Sequence, residues 1–173
     1  MLRETIAPTP HAPARPPHAF GAWAALAAGL AALAFAVLVY ASRTTRQAPL
    51  LEPWRAGWLG GCFGAAAGWL PSALHVFGFA LITAACGPRC WRTARQATLL
   101  WLAVNVLFEC GQHTLLRARL AGALAGMPSL GGRALGAYFE HGTFDVADLL
   151  AALAGAAAAA ACLRFALGYG EVA

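Results

Sequence analysis

Residues 19–41 carry no charged side chain, and this run follows a proline-rich start and ends just before Arg43. A helix of this length crosses the hydrocarbon core of a bilayer, which is about 30 Å thick. A cleaved signal peptide is the alternative, because residues 39–41 resemble a cleavage site. The apolar core of a signal peptide is only about 7–15 residues long, however. We therefore interpret the run as a first membrane helix.

The composition favours a membrane protein over a soluble domain. Hydrophobic residues make up 60% of the chain and charged residues 11%, whereas a soluble domain has about 25% charged residues. The formal charge of +5 is spread over short segments, which fits contact with anionic lipid headgroups and does not indicate a nucleic-acid partner. The five cysteines form neither a metal-binding motif nor a disulfide framework.

Further apolar runs predict an all-α membrane protein with about four transmembrane helices. After the first run, helices are expected at about 71–87, 96–113 and 145–167. Pro71 is expected in the first turn of the second helix, where proline is tolerated. Residues 57–70, rich in glycine and tryptophan, predict an interfacial or re-entrant segment before that helix. Part of the connection 114–144 is expected to form an interfacial helix.

The predicted organisation has three parts. Residues 1–18 are expected to be a flexible N-terminal tail, 19–167 a transmembrane domain and 168–173 a C-terminal tail. The three closely spaced arginines Arg89, Arg92 and Arg95 mark a short turn. By the positive-inside rule they favour an inside location for this turn and for the N-terminus.

Polar residues from three predicted helices should meet at one membrane face, because successive membrane helices alternate in direction. On the third helix, residues 98, 105, 109 and 112 fall on one stripe at about 100° per residue. A polar stripe in a membrane helix should face protein rather than lipid. The predicted functional cluster, placed on the outer side, consists of His75, Asn105, Glu109, Gln112, Asp145 and Asp148.

Several of these residues also have ordinary structural interpretations. Asp145 is suited to cap the fourth helix, with Thr143 beside it. His75 could be a hydrogen-bonded packing residue, and Glu109 could reach the interface from a position near the helix end. An acidic side chain in an apolar helix is costly unless it is paired, protonated or exposed to water. Glu109 therefore carries the strongest functional signal.

Three short motifs in order resemble the VanZ-like family of small bacterial membrane proteins. Residues 70–79 are similar to its helix with a histidine among phenylalanines. Residues 108–112 are similar to its Glu-x-x-Gln motif. Residues 142–150 are similar to its Asp-x-x-Asp-Leu motif, with Gly155 at the expected later position.

The resemblance covers roughly residues 70–160 and includes departures. Pro71 and Ser72 stand where the family often has an acidic and a basic residue, and Ala152 stands where it often has asparagine. The resemblance implies a multi-pass protein of the bacterial inner (plasma) membrane. It also implies a link to glycopeptide-type antibiotic resistance, but it supplies no mechanism.

The residues leave three functional hypotheses. The first is non-enzymatic binding, through the cluster, of a lipid, a lipid-linked envelope component or another membrane protein, with no cofactor and no metal. The second is a membrane-embedded metal-dependent hydrolase or transferase, in which Glu109 and His113 share one ion with further ligands from His75, His141, Asp145 and Asp148. The third is a transport pathway formed by an oligomer, since no internal repeat is visible.

Overall fold

The structure is a computed structural model that describes residues 18–43 and 61–169, with side chains from residue 21 onward. Within these ranges it is helical and contains no strand. The helices are α1 His18–Ala41, α2 Ala66–Ala85, α3 Trp91–Gly111, α4 Arg117–Ala125, α5 Leu130–His141 and α6 Val146–Ala161, which continues as a π-helical turn, Cys162–Ala166. The predicted tail 1–17, residues 57–60 of the predicted re-entrant segment and residues 170–173 lie outside the described residues.

Three stretches of the described chain are long and apolar enough to cross a membrane. They are Gly21–Ala41, Ala66–Ala85 and Val146–Ala166. Large apolar side chains cover the outside of the helices: Trp23 and Leu107 are each 69% exposed and Phe165 is 83% exposed. A surface of this kind is stable against hydrocarbon, not against water. The all-α membrane fold expected from the sequence is confirmed.

Helix α2 is the centre of the bundle and packs against α1, α3 and α6. Glycines allow the two closest approaches. A Cβ on Gly78 would come within 2.9 Å of the Gly29 carbonyl oxygen of α1, and a Cβ on Gly155 of α6 would come within 2.9 Å of the Ala73 backbone. Small residues give membrane helices this close contact, through which van der Waals packing stabilises the bundle.

Helix α2 begins at Ala66, five residues before the expected start, so Pro71 lies inside the helix and not in its first turn. Proline has no N–H, which leaves the carbonyl of the residue four positions earlier, Ala67, without its helical donor. Arg43, just beyond α1, supplies the missing donor and bonds to the next carbonyl as well. Its Nε donates to the Ala67 carbonyl at 2.8 Å and its Nη2 to the Gly68 carbonyl at 2.7 Å.

The other boundaries also differ from the sequence-based expectation. Helix α3 begins at Trp91, so Arg92 and Arg95 lie in a helix and not in a turn. Both side chains are exposed, which lets their guanidinium groups remain in a polar environment. The expected single interfacial helix in 114–144 is a hairpin of α4 and α5. Ser129 caps α5 by accepting a hydrogen bond from the Gly132 N–H at 3.0 Å.

The end of the bundle opposite Arg43 is closed by a compact core. The C-terminal segment folds back there, so that the Tyr169 hydroxyl donates to the Ala84 carbonyl of α2 at 3.0 Å. Arg89 donates to the Leu167 carbonyl and lies over the Tyr169 ring. This closed end is formed by Leu81, Ala84, Ala94, Ala97, Leu163 and Tyr169.

Candidate functional site

At the Arg43 end of the bundle, all six residues of the predicted cluster line one cavity of about 210 Å³, which we call the polar cavity. One water molecule needs only about 10–15 Å³ by the same measure, so the cavity has room for a small polar group. Residues from α1, α2, α3, α5 and α6 contribute to the lining. Beyond the predicted six, its side chains include Tyr40, Arg43, Ser72, Tyr138 and Thr143.

Helix α3 contributes three polar residues, Asn105, Glu109 and Gln112, which lie one helical turn apart on one face. Glu109 is 5% exposed and Gln112 is 6% exposed. Gln112 Nε2 donates to Glu109 Oε1 at 3.3 Å and to the Tyr138 hydroxyl oxygen at 2.7 Å. One amide thus positions both the carboxylate and the phenol.

Tyr138 reaches the cavity because α5 packs against the end of α3. The ring of Phe139 lies against Gly111, where any Cβ would collide with it. Tyr138 is 37% exposed, and its partial burial raises the pKa of its phenol, with Tyr40, Glu109 and Asp148 nearby acting in the same direction. The phenol therefore stays protonated, and because its oxygen accepts from Gln112, its own O–H is free to donate into the cavity.

Helix α6 contributes the two aspartates in different ways. Asp145 Oδ1 accepts a hydrogen bond from the Ala147 N–H at 2.8 Å, so Asp145 caps the helix as its structural interpretation expected. Asp148 lies one turn further in, and its Oδ1 accepts from the Ser72 hydroxyl of α2 at 2.7 Å. Ser72 is buried. Asp148 therefore joins α6 to α2 at the wall of the cavity.

Arg43 is the only arginine in the polar-cavity lining. Its Cζ lies 4.3 Å from the centroid of the Tyr40 ring, and its Nε and Nη2 are held by two α2 carbonyls, that of Ala67, which Pro71 leaves without a helical donor, and that of Gly68. The guanidinium group is thereby fixed, while Nη1 makes none of these bonds. A guanidinium fixed in this way, with Nη1 outside its hydrogen bonds to the described residues, is suited to bind an anionic oxygen.

A second cavity of about 240 Å³ adjoins the polar cavity and has a largely apolar lining. The two share four residues, Tyr40, His75, Asn105 and Tyr138. The additional lining of this apolar cavity comes from five apolar residues of α2 and α3: Val76, Phe79, Trp101, Val104 and Phe108.

His75 stands at the junction of the two cavities as part of a row of rings. Its ring stacks on Tyr40, with centroids 5.7 Å apart, and its other neighbour is Phe79 at 6.1 Å. Phe79 stacks in turn on Trp101 at 4.3 Å. The aromatic row therefore runs from the lining of the polar cavity, through Tyr40 and His75, into the lining of the apolar cavity.

Two acceptors in the site have no hydrogen-bond partner among the described residues. They are Glu109 Oε2 and Asn105 Oδ1, both buried. Leaving a buried acceptor unsatisfied costs about 1–3 kcal/mol, and more when the group is charged. Two such acceptors one helical turn apart on the wall of a cavity favour a ligand that donates hydrogen bonds.

Not every residue considered in the sequence reaches the site. Thr98, on the predicted α3 stripe, is buried away from the cavity and donates to the Ala94 carbonyl of its own helix at 2.9 Å. His113 and His141, considered as metal ligands, are exposed and do not line the polar cavity. In residues 18–43 and 61–169, no three His, Cys, Asp or Glu side chains are grouped as a metal site requires.

Arg43, Ser72 and Tyr138 were missing from the predicted cluster. A sequence signal existed for Arg43 alone: a helical proline leaves a carbonyl to be satisfied, and an arginine follows the preceding membrane helix. Tyr138 depends on how α5 folds onto α3, for which the local sequence gives no signal. No protein family model, curated protein or solved structure matches this chain.

Proposed function

We propose that this chain is a VanZ-like, multi-pass protein of the bacterial inner (plasma) membrane that binds a membrane component in its polar cavity without converting it. The observation that carries the proposal is Glu109: a buried carboxylate with an unpartnered oxygen, on the wall of a cavity to which five helices contribute. The candidates for the bound component are a lipid, a lipid-linked envelope molecule and a segment of another membrane protein.

The proposed multi-pass arrangement includes α3 as a fourth membrane helix beside the three most apolar stretches. Its 21 residues rise about 31 Å, and it packs against α2 and α6. Its charged side chains lie near its two ends, with Arg92 and Arg95 at the start and Glu109 in the last turn. This distribution lets the charges reach the two interfaces while the apolar middle crosses the core.

Photo-crosslinking tests whether the cavity holds a ligand. A benzophenone amino acid replaces Phe108, which lines the apolar cavity, and as a matched control it replaces Phe165, which is 83% exposed. After irradiation of membranes, we expect one dominant adduct mass at position 108 and a mixture that mirrors the bulk lipids at position 165. The same mixture at both positions would contradict the proposal.

The side of the membrane that the cavity faces is tested with two exposed cysteines, Cys62 before α2 and Cys86 after it. In single-cysteine variants, an outer location of the cavity predicts that an impermeant maleimide labels Cys62 on intact cells and leaves Cys86 unlabelled. Labelling of Cys86 alone would reverse the orientation.

The resemblance to VanZ-like proteins extends the proposal to glycopeptide-type antibiotic resistance. Expression of the chain is expected to raise the minimum inhibitory concentration of teicoplanin for a sensitive host, and Glu109→Gln is expected to remove the increase. Glu140→Gln is a matched control, because Glu140 is exposed on α5 outside the cavity. An equal increase with all three proteins would contradict a role of the cavity.

The membrane-embedded metal-dependent hydrolase or transferase stays the alternative. It requires a stoichiometric divalent ion in the purified protein, together with loss of that ion in Glu109→Gln. Elemental analysis of the protein purified without chelators distinguishes this alternative from binding without conversion.

A further inference from the structure

The polar and apolar cavities adjoin and share four lining residues, Tyr40, His75, Asn105 and Tyr138, so we treat them as the polar and apolar parts of one site. The polar part lies where α1 ends at Ala41 and Arg43 follows, which is the level of the lipid headgroups if α1 crosses the bilayer. The apolar part extends along α2 and α3 towards the bilayer centre. A ligand that fills both parts must be amphipathic and oriented like a membrane lipid.

The polar part selects the chemistry of the headgroup. Its two buried side-chain atoms without a partner among the described residues are both acceptors, Glu109 Oε2 and Asn105 Oδ1, so a headgroup that satisfies them must present N–H or O–H donors. One of them belongs to a carboxylate, which binds a charged donor more strongly than a neutral one. Asp145 and Asp148 add two further carboxylates to the lining. The acidic wall therefore favours a primary ammonium group.

The same cavity contains donors for an anion on its other side. Arg43 is held in place by the Ala67 and Gly68 carbonyls, with Nη1 outside those bonds. Tyr138 retains its O–H as a donor, because its oxygen accepts from Gln112. A headgroup with both charges, an ammonium and a phosphate, complements both sides of the cavity, whereas a purely anionic headgroup would leave the acidic wall unsatisfied.

We propose that the joined cavities bind one aminophospholipid. Its ammonium donates to Glu109 Oε2 and Asn105 Oδ1, its phosphate accepts from Arg43 and Tyr138, and one acyl chain lies against the aromatic row of Phe79 and Trp101. This inference rests on the proposed function, since it names the lipid class that the cavity takes. It is more specific than lipid binding, because it requires N–H donors on the headgroup.

Lipid retention by the wild-type protein tests the inference without any substitution. The full chain is reconstituted in bilayers of equal parts phosphatidylethanolamine, phosphatidylcholine and phosphatidylglycerol with identical acyl chains, and the retained lipid is measured by native mass spectrometry. Choline keeps the phosphate and the positive charge but has no N–H. We expect ethanolamine lipid to be retained about tenfold over choline lipid, the size of one charge-assisted hydrogen bond.

Two variants and one control variant assign the preference to the site. Glu109→Gln should reduce the ethanolamine-to-choline ratio to near one, while Glu140→Gln should leave it at the wild-type value. Val104→Trp, which fills the apolar cavity, should lower retention of every lipid several-fold without changing the unfolding midpoint. Unchanged retention in Val104→Trp would contradict the placement of the acyl chain, and an unchanged ratio in Glu109→Gln would contradict the headgroup contact.

The outcomes separate this inference from the proposed function. Equal retention of ethanolamine and choline lipids by the wild-type protein overturns the aminophospholipid, while a dominant adduct at position 108 would still support a bound membrane component. No retained lipid together with no distinct adduct overturns both. A displacement experiment with free phosphoethanolamine at millimolar concentration distinguishes a lipid from a soluble amine. If the site binds a soluble amine, phosphoethanolamine will remove the bound species. If it binds the lipid, the lipid should stay bound.

Discussion

The two ends of the bundle have the same kind of arginine contact, but one end is packed and the other contains a cavity. At each end an arginine just beyond a membrane helix donates to main-chain carbonyls, Arg43 to Ala67 and Gly68, and Arg89 to Leu167. The Arg89 end is filled by the fully buried side chains of the closed end. The Arg43 end surrounds a cavity instead.

The polar groups at the two ends differ in what they leave unsatisfied. At the closed end, Arg89 Nε lacks a partner among the described residues, but its guanidinium is already bonded and lies over an aromatic ring. At the cavity end, the unpartnered atoms are acceptors, one of them on the buried carboxylate of Glu109. Arginine is therefore structural at the closed end, while the cavity end contains buried acceptors that a donor from outside the chain would satisfy.

The largest expected effect comes from Gly155→Leu. Even a Cβ at position 155 would meet the Ala73 backbone, so α6 must move away from α2 and the bond between Asp148 and Ser72 must break. Overpacking typically lowers the free energy of unfolding by about 1–3 kcal/mol. We expect this variant to lose about 3 kcal/mol or more, because its new side chain meets main-chain atoms. Unfolding in detergent mixtures measures it. Ala154→Leu, at an exposed neighbour, is the control and should unfold like the wild type.

Arg89→Gln should be the next most severe, with loss of about 2 kcal/mol of stability from a hydrogen bond to a charged donor. Ligand retention at the other end should stay at the wild-type level. Arg164→Gln is a suitable comparison, because Arg164 lies near the same end and over the Trp91 ring at 5.0 Å; its loss should cost about 0.5–1 kcal/mol. Loss of ligand binding in Arg89→Gln would show that the closed end also contributes to binding, which contradicts a purely structural role of Arg89.

The partnership of Arg43 and Pro71 gives a smaller, more specific effect. In Pro71→Ala the new N–H competes for the Ala67 carbonyl, so Arg43→Gln should cost less stability in that background than in the wild type. The coupling free energy should be about 1 kcal/mol, the net value of one hydrogen bond. A double-mutant cycle measures it, and any cavity left by the proline ring cancels in the cycle. Additive free energies would show that Arg43 does not replace the missing donor.

The smallest effect is expected at Thr98. Its hydroxyl bonds only to its own helix at the Ala94 carbonyl, so Thr98→Val should change stability by about 0.5 kcal/mol and leave lipid retention unaltered. Asn105→Leu, seven residues further along α3, should by contrast reduce the preference for ethanolamine lipid. If the preference for ethanolamine lipid falls in Thr98→Val, Thr98 contributes to ligand binding together with the other residues of the α3 stripe.

The sequence predicted the helical membrane fold because apolar length and charge spacing are local properties. The predicted helix boundaries were wrong where a contact with a residue distant in sequence determines where a helix begins. Pro71 indicated a helix start, yet α2 begins earlier because Arg43 supplies the donor that proline lacks. Thr98 shares the stripe of Glu109, but the stripe runs the length of α3 while the cavity occupies one end only.

The convergence of the six predicted residues followed from alternating helix direction, which needs no tertiary detail. Tyr138 could not be found in this way, because its position depends on the packing of Phe139 against Gly111. The capping role of Asp145 was recognisable from its place before an apolar run. The sequence therefore predicted which six polar residues converge, and tertiary packing added the arginine, the serine and the phenol to the lining of the cavity.

The most direct measurement is an experimental structure of the full chain in a lipid bilayer that contains ethanolamine lipid. The account expects a headgroup within hydrogen-bond distance of Glu109 Oε2, with an acyl chain continuing beside Phe79 and Trp101. A polar cavity that holds only water, or one in which Glu109 Oε2 turns to pair with a residue of the chain itself, would contradict it.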